Sequence, residues 1–242
     1  MRYCIISDIH SNLEAFKAVL ENSEKEDIDA YLCAGDVIGY GADPVECIAL
    51  VRSIKPKVLI AGNHEWGVLD LLDLDYFNEY AKEAIARTKT MIGKEDAGYL
   101  KSFQLTYEGK NFTVVHGTLE APAKFYYIFD EDDAYATTEI MKTPVCFVGH
   151  SHIAGIYYYE NREMRSVTKG AVRIDRAKRY VINVGSVGQP RDGDPRSAYA
   201  IYDEDDQVVE IRRVAYDIEA ARKKIVNAGL PGRLAERLSE GR

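Results

Sequence analysis

The sequence is short of several things, and each shortage removes a class of protein. Cysteine occurs only at Cys4, Cys33, Cys47 and Cys146, with no C-x-x-C pair. That excludes a disulfide framework and a thiolate metal knuckle. Three of the four sit inside apolar runs, the setting of buried thiols in a reducing cytoplasm. No apolar stretch approaches the roughly 18 residues a membrane-spanning helix needs, and the opening MRYCIISD meets charge too early for a secretory signal. Positive charge is in deficit, with 31 Lys and Arg against 39 Asp and Glu for a net charge of −8. A broad electrostatic footprint on nucleic acid or an anionic membrane is therefore not expected. Repeats, low-complexity tracts and Pro/Gly/Ser linkers are also missing, so residues 1–242 read as one domain. What remains is an ordinary globular composition, 46% hydrophobic and 29% charged, in a chain long enough to bury a substantial core.

What the chain does have is a local grammar. A short apolar run stops abruptly at a polar cluster: Tyr3 to Ile6 before SDIHSN, Tyr31 to Ala34 before GD, Val58 to Ala61 before GNHE. The pattern continues with Phe112 to Val115 before HG, Val145 to Val148 before GHSH, and Val181 to Val184 before GSVGQPR. Such runs, rich in β-branched residues and ended by Gly or Asp, read as strands buried on both faces. Layered α/β structures bind ligands beyond the carboxyl ends of their strands, so these ends point to one shared site.

Helices are expected between the strands. Ser11 and Glu14 read as a capping box ahead of Leu13, Phe16 and Leu20. Asp43-Pro44 with Glu46 reads as a second start, residues 77–92 carry apolar side chains at helical spacing, and Asp130 to Asp133 read as a helix N-terminus. The C-terminal third changes period. Segments 153–159, 171–175, 180–184, 197–203 and 208–214 read as short strands of a second sheet, followed by a last helix from near Asp217 to about Gly229. The insertions 66–103 and 117–144 leave the edge that carries the polar clusters, where a lid would sit. Within the second, the run Phe125 to Phe129 is read as core, with stacking on a nucleobase as the alternative.

All five histidines, His10, His64, His116, His150 and His152, fall just after an expected strand. Asp8 stands two residues before His10, Asp36 follows Gly35, and Asn63 precedes His64. In an extended segment residues i and i+2 project to the same side, so Asp8 and His10 could grip one ion, and His150 and His152 two. Mixed nitrogen and oxygen donors suit Mn, Fe, Co, Ni or Zn rather than Mg or Ca. Two carboxylates, one amide oxygen and four imidazoles are too many for one ion but natural for two that share a carboxylate. Two divalent ions, two carboxylates and a bridging hydroxide would leave a charge of about plus one, attractive to phosphate. The spare histidine would be free to protonate a leaving oxygen.

The order D-x-H, GD, GNHE, HG, GHSH, spread over residues 8 to 152, resembles the calcineurin-like metallophosphoesterase superfamily, in the style of its small bacterial and archaeal members. The resemblance implies an α+β fold, a four-layer sandwich with helices outside two packed, mostly mixed sheets. It implies one ion held by Asp8, His10, Asp36 and His152, and a second held by Asp36, Asn63, His116 and His150, with Asp36 bridging. His64 becomes the catalytic histidine that binds no metal, and manganese the favoured ion. The activity implied is hydrolysis of phosphomonoesters or phosphodiesters in the cytoplasm on a small, nucleotide-type substrate. No membrane or nucleic-acid partner is expected, and a homo-oligomer is left open. Related phosphoprotein and dinucleoside tetraphosphatases carry GD-x-x-DRG, whose arginine clamps phosphate. Here the stretch runs Gly35 to Gly41 without arginine. Arg191, in GQPRDGDPR, is the candidate replacement; Asn12 reads as a second capping residue, with a substrate contact as the alternative, while Arg196 reads as solvated and Ser186 as part of a turn. Phosphoprotein or dinucleoside-polyphosphate hydrolysis, or a catalytically weak metal-bound scaffold, are the alternatives.

Overall fold

The computed structural model describes residues 1–168 and 170–242. Two mixed sheets of six strands each organise the chain. The first is built from β1 (Arg2–Ile6), β2 (Ala30–Cys33), β3 (Val58–Leu59), β9 (Ala171–Arg173), β11 (Ser197–Asp203) and β12 (Val208–Val214), in the order β3-β2-β1-β11-β12-β9. The second holds β4 (Thr106–Glu108), β5 (Phe112–Val115), β6 (Val145–Val148), β7 (Gly155–Glu160), β8 (Glu163–Val167) and β10 (Tyr180–Asn183), in the order β4-β5-β6-β10-β7-β8. Within the first sheet β1, β2 and β3 run parallel, and within the second β5, β6 and β10 do. These are the six runs that stop at polar clusters, and each set ends on one edge of its own sheet.

Alternation along β1 explains why its apolar run is unbroken. Tyr3 and Ile5 point between the sheets, where they meet Leu32, Val114, Phe147 and Ile182. Cys4 and Ile6 point outward and pack with Phe16 and Val19 of α1 (Leu13–Ser23) and Ile48 and Val51 of α2 (Pro44–Ile54). The outer face of the second sheet is covered through Cys146, Val148 and Val181 against Ala134 of α6 (Glu131–Ile140). Helices, sheet, sheet and helix make four layers. Each large apolar side chain so buried contributes roughly 1.5–3 kcal/mol.

The strands expected in the C-terminal third do not form a sheet of their own: β9, β11 and β12 extend the first sheet beside β1, and only β7 and β10 join the second. Local details differ as well. Helix α1 is capped by Asn12, whose Oδ1 accepts from the Ala15 N–H at 3.1 Å, and not by Ser11. Ser11 is in left-handed conformation, φ 54°, with its N–H donating to Val37, so its side chain cannot reach the first turn. Glu14 and Asp43 are both drawn to Lys224, at 2.5 and 3.0 Å. That salt bridge takes the Asp43 carboxylate away from α2, which it precedes without a side-chain cap. Asp217 does cap α7 (Ile218–Asn227) and Asp130 caps α6. Helix α7 is not the last, because α8 (Gly232–Glu240) follows and buries Leu234, Ala235 and Leu238. The region 66–103 holds the second half of α3 (Asn63–Val68), with α4 (Glu79–Met91) and α5 (Lys94–Leu100). All four cysteines are buried and free. Among the described residues no helix is long and apolar enough to cross a membrane.

Candidate metal centre

The loops after β1, β2, β5 and β6, with the start of α3, deliver their polar side chains to one buried place. Asp8, His10, Asp36, Asn63, His64, His116, His150 and His152 are each at most 4% exposed. Three groups lie within ligating distance of one another: Asp8 with His10 and His152, His10 with Asp36 and His64, and Asp36 with His116 and His150. His150 and His152 therefore do not serve one group but two. Nor do the pairs arrive by alternation along an extended strand. Asp8, His10, Asp36, His150 and His152 all have left-handed backbones, with φ between 49° and 67°. The chain turns sharply under each side chain instead of pleating past it.

Asp36 sits between the outer groups. Its Oδ2 is 3.6 Å from His10 Nε2 and 3.3 Å from His116 Nε2, while its Oδ1 accepts from the His64 N–H at 2.9 Å. Asp8 Oδ2 accepts from the His150 N–H at 3.0 Å. Gly149 lets these loops meet, because a Cβ there would run into Ser7 Oγ and Asp8 Oδ2.

The imidazoles are oriented from behind. Nδ1 of His10 faces the Ile38 carbonyl at 3.0 Å, that of His116 the Ala34 carbonyl at 2.8 Å, and that of His152 the Gln189 carbonyl at 2.6 Å. A carbonyl only accepts, so each Nδ1 carries the hydrogen and each Nε2 presents a lone pair to the centre. His10 and His152 bring their Nε2 atoms to 3.0 Å of each other. Two nitrogens ~2.1 Å from a common ion span that distance at about 90°. Asp8 Oδ1, Asn63 Oδ1, His116 Nε2 and His150 Nε2 are buried without a hydrogen-bond partner. Orphaned polar atoms are rare in folded proteins and costly, at ~1–3 kcal/mol each. Two of these four are oxygens that only accept, and the two imidazole nitrogens accept once deprotonated, which is the donor set a divalent cation takes. The residues fit a metal.

Charge tells the same story. Burial works to raise the Asp8 carboxyl, but the His152 and His116 imidazoles override it and hold it well below the usual range. Asp36 is likewise lowered, against burial, by His116 and His64. His116 is raised to about 9, Asp36 and Asp8 outweighing its burial, so a proton takes the place of a cation beside it. Burial pushes His64 and His152 down to about 3, and His150 well below its usual value.

Sequence reasoning passed over Glu65. It is fully buried, and its carboxylate accepts from four backbone N–H groups, those of Asp36, Val37, Ile38 and Gly62, at 2.8–3.3 Å. It ties the loop after β2 to the start of α3. Its position three residues after Gly62 in GNHE was the available signal, a carboxylate folding back on a helix start.

The surrounding residues divide. Arg191 stands at the rim, its N–H donating to the His152 carbonyl at 3.1 Å and its guanidinium lying 5.6 Å from the Tyr40 ring. Its Nη2 donates to Gln189 at 2.8 Å, and its charge helps depress His64 and His152. Asn12 is turned away from a substrate role: besides capping α1, its Nδ2 donates to the Gly188 carbonyl at 2.8 Å. Ser186 braces the turn between Asp8 and Gln189, and Arg196 pairs with Asp194 in solvent. The aromatic run is core only in part. Phe125 and Ile128 are buried, whereas Tyr126, Tyr127 and Phe129 are 51%, 37% and 53% exposed.

A sandwich of two six-stranded sheets with buried aspartates and histidines at one edge defines a metal-dependent phosphoesterase architecture. The family model for the calcineurin-like phosphoesterase superfamily domain matches residues 1–207, and the chain belongs to that superfamily. A protein of Methanocaldococcus jannaschii designated MJ0912, itself uncharacterized, is 42% identical over 98% of this chain and 97% of its own. The crystal structure of a metallophosphoesterase from Sphaerobacter thermophilus superposes with a TM-score of 0.89 at 38% identity, covering 100% of this chain and 99% of that one. A symmetrical bis(5'-nucleosyl)-tetraphosphatase of Buchnera aphidicola is 36% identical over 84 residues, 31% of each chain.

Proposed function

We propose that the chain is a two-metal phosphoesterase acting in the cytoplasm on small phosphodiesters or nucleotide-type esters, with residues 1–242 as its single domain. Asp8, His10, Asp36 and His152 would hold one ion, and Asp36, Asn63, His116 and His150 the other. The observation that carries this reading is the convergence of unpartnered lone pairs on both sides of Asp36 Oδ2. Two bound ions would supply Lewis-acid polarisation of the phosphoryl group and a water acidified to attack it.

The remaining steps belong to the chain. Arg191, at the rim, would orient the phosphate from outside, the task the arginine missing from residues 35–41 performs in related phosphatases. His64 is neutral at rest, since burial holds it near 3. An arriving phosphate anion would raise that pKa, so His64 would take up a proton from solvent as substrate binds and pass it to the leaving oxygen. The carbonyls of Ile38, Ala34 and Gln189 hold the ligand tautomers fixed throughout.

Hydrolysis of bis(p-nitrophenyl) phosphate with added Mn²⁺ tests the reading. Asp36→Ala should abolish turnover and metal retention together. His64→Ala should keep both ions by metal analysis yet lose ~10²–10⁴ in rate, the range for a positioned acid. A wild type inert toward mono- and diesters with every divalent metal would leave only the scaffold reading. The local similarity to the Buchnera tetraphosphatase favours a second reading, hydrolysis of dinucleoside polyphosphates. A rate on diadenosine tetraphosphate well above that on the simple diester would establish it.

A further inference from the structure

The outward part of the 125–129 run forms an ordered series of rings that starts at the metal centre. The Tyr127 ring lies parallel on the His150 imidazole, with centroids 3.9 Å apart and planes 14° apart. Phe129 stacks on Tyr127 in turn, at 4.9 Å and 12°. His150 Nε2 is buried without a hydrogen-bond partner, and the series ends in solvent at Phe129, more than half exposed. Large aromatic side chains are costly to display in this way and are seldom displayed in register.

The exposure is not looseness. Gly117 allows the backbone of this segment to lie against the loop after β5, since a Cβ on Gly117 would come within 2.5 Å of the Tyr126 carbonyl. The Tyr76 hydroxyl donates to the Phe125 carbonyl at 2.9 Å, and Trp66 packs edge-on against Phe125 at 5.3 Å. The Phe129 N–H donates to Asp133 at the start of α6. Both insertions thus hold the rings in place, one from each side.

Resting on the phosphoesterase reading above, we propose that the Tyr127–Phe129 stack is the recognition platform for a planar aromatic group carried by the phosphate ester, making a nucleotide the substrate. A phosphate at the centre places the rest of its molecule beside a flat π surface one ring away from a candidate ligand. Every base has a π face, so stacking accepts all of them and discriminates against esters that lack one. The platform therefore selects for the presence of a base and not for its identity.

The test is equilibrium binding of non-hydrolysable phosphonates to the manganese-loaded full chain: the 5′-phosphonate of adenosine against the same phosphonate on bare ribose. The adenosine compound should bind about tenfold tighter. Phe129→Ala, at an exposed position, should remove most of that preference while leaving the ribose compound within twofold. Tyr127→Phe, which keeps the rings, should retain the preference. Equal affinity of the two compounds in the wild type overturns the proposal. So does an equal loss for both in Phe129→Ala, which would make the rings mere support for His150. A dimer that dissociates on Phe129→Ala would overturn it too, because a second copy of the chain would be the occupant. Failure of the phosphoesterase reading looks different: ring-dependent binding with no ester hydrolysed refutes the activity and leaves the platform standing.

Discussion

At the scale of single residues, the centre is assembled from backbone conformations that L-residues avoid. Asp8, His10, Asp36, His150 and His152 share the left-handed region, which costs of order 1–3 kcal/mol at a non-glycine position, less for Asp and His. Strain of that size persists where the surroundings over-determine it, and here hydrogen bonds supply the constraint. The Asp8 N–H donates to Gly35, that of His10 to Asp36 and that of His150 to the Asp8 carboxylate. The strain can be isolated at His10. His10→Ala and His10→Gly remove the same imidazole, but only glycine relaxes at φ 49°. The glycine variant should be the more stable by about 1 kcal/mol in urea denaturation of the metal-free protein. Equal midpoints would show that the conformation carries no cost.

At the scale of elements, the strands were legible and the loop geometry was not. Apolar runs ending in Gly or Asp located β1, β2, β5, β6 and β10 because strands buried on both faces have no alternation to obscure them. Edge strands β4 and β8 were missed, since they are short, polar and partly exposed. Helix α8 was missed although its periodic signal is clear, with Leu234, Ala235 and Leu238 buried on one face. The Ser11 cap failed for a tertiary reason: its N–H donates to the Val37 carbonyl from a left-handed backbone, which leaves the cap to Asn12. Seven of the side chains singled out from the sequence, Asp8, His10, Asp36, His64, His116, His150 and His152, lie in the buried cluster, because polar residues at strand ends were the readable signal. What tied their loops together was not found, and Glu65 is the clearest case. Glu65→Gln keeps the shape but turns an NH₂ donor toward backbone N–H groups that need an acceptor. It should cost ~2–4 kcal/mol in stability and weaken metal retention although Glu65 itself touches no candidate lone pair. Unchanged retention in metal titration would show that the loops after β2 and before α3 hold without it.

At the scale of the whole molecule, burying so many titratable groups in one cluster makes folding depend on pH. In the metal-free protein His64 and His152, near 3, and His150, well below its usual value, are deprived of protons that the unfolded chain binds near 6.5. Their depressed values make a stability contribution present above pH 6.5 and lost as pH falls toward 3. The lowered Asp8 and Asp36 carboxyls act in the same direction, further into acid. His116 has the opposite sign. Raised to about 9, it contributes stability that is full below 6.5 and lost as pH climbs to 9. Each unmatched proton is worth about 1.4 kcal/mol per pH unit, and three depressed histidines face one raised one. Urea midpoints measured in chelator should therefore peak near pH 6.5, fall steeply toward pH 4.5 and fall gently toward pH 9. Manganese should raise the midpoint most on the alkaline side, where it replaces the proton His116 gives up. It should lose that effect in acid, where its ligands would have to shed protons to bind it. A flat profile in chelator, or one steeper toward alkali, would mean that these imidazoles do not share one buried cluster in solution.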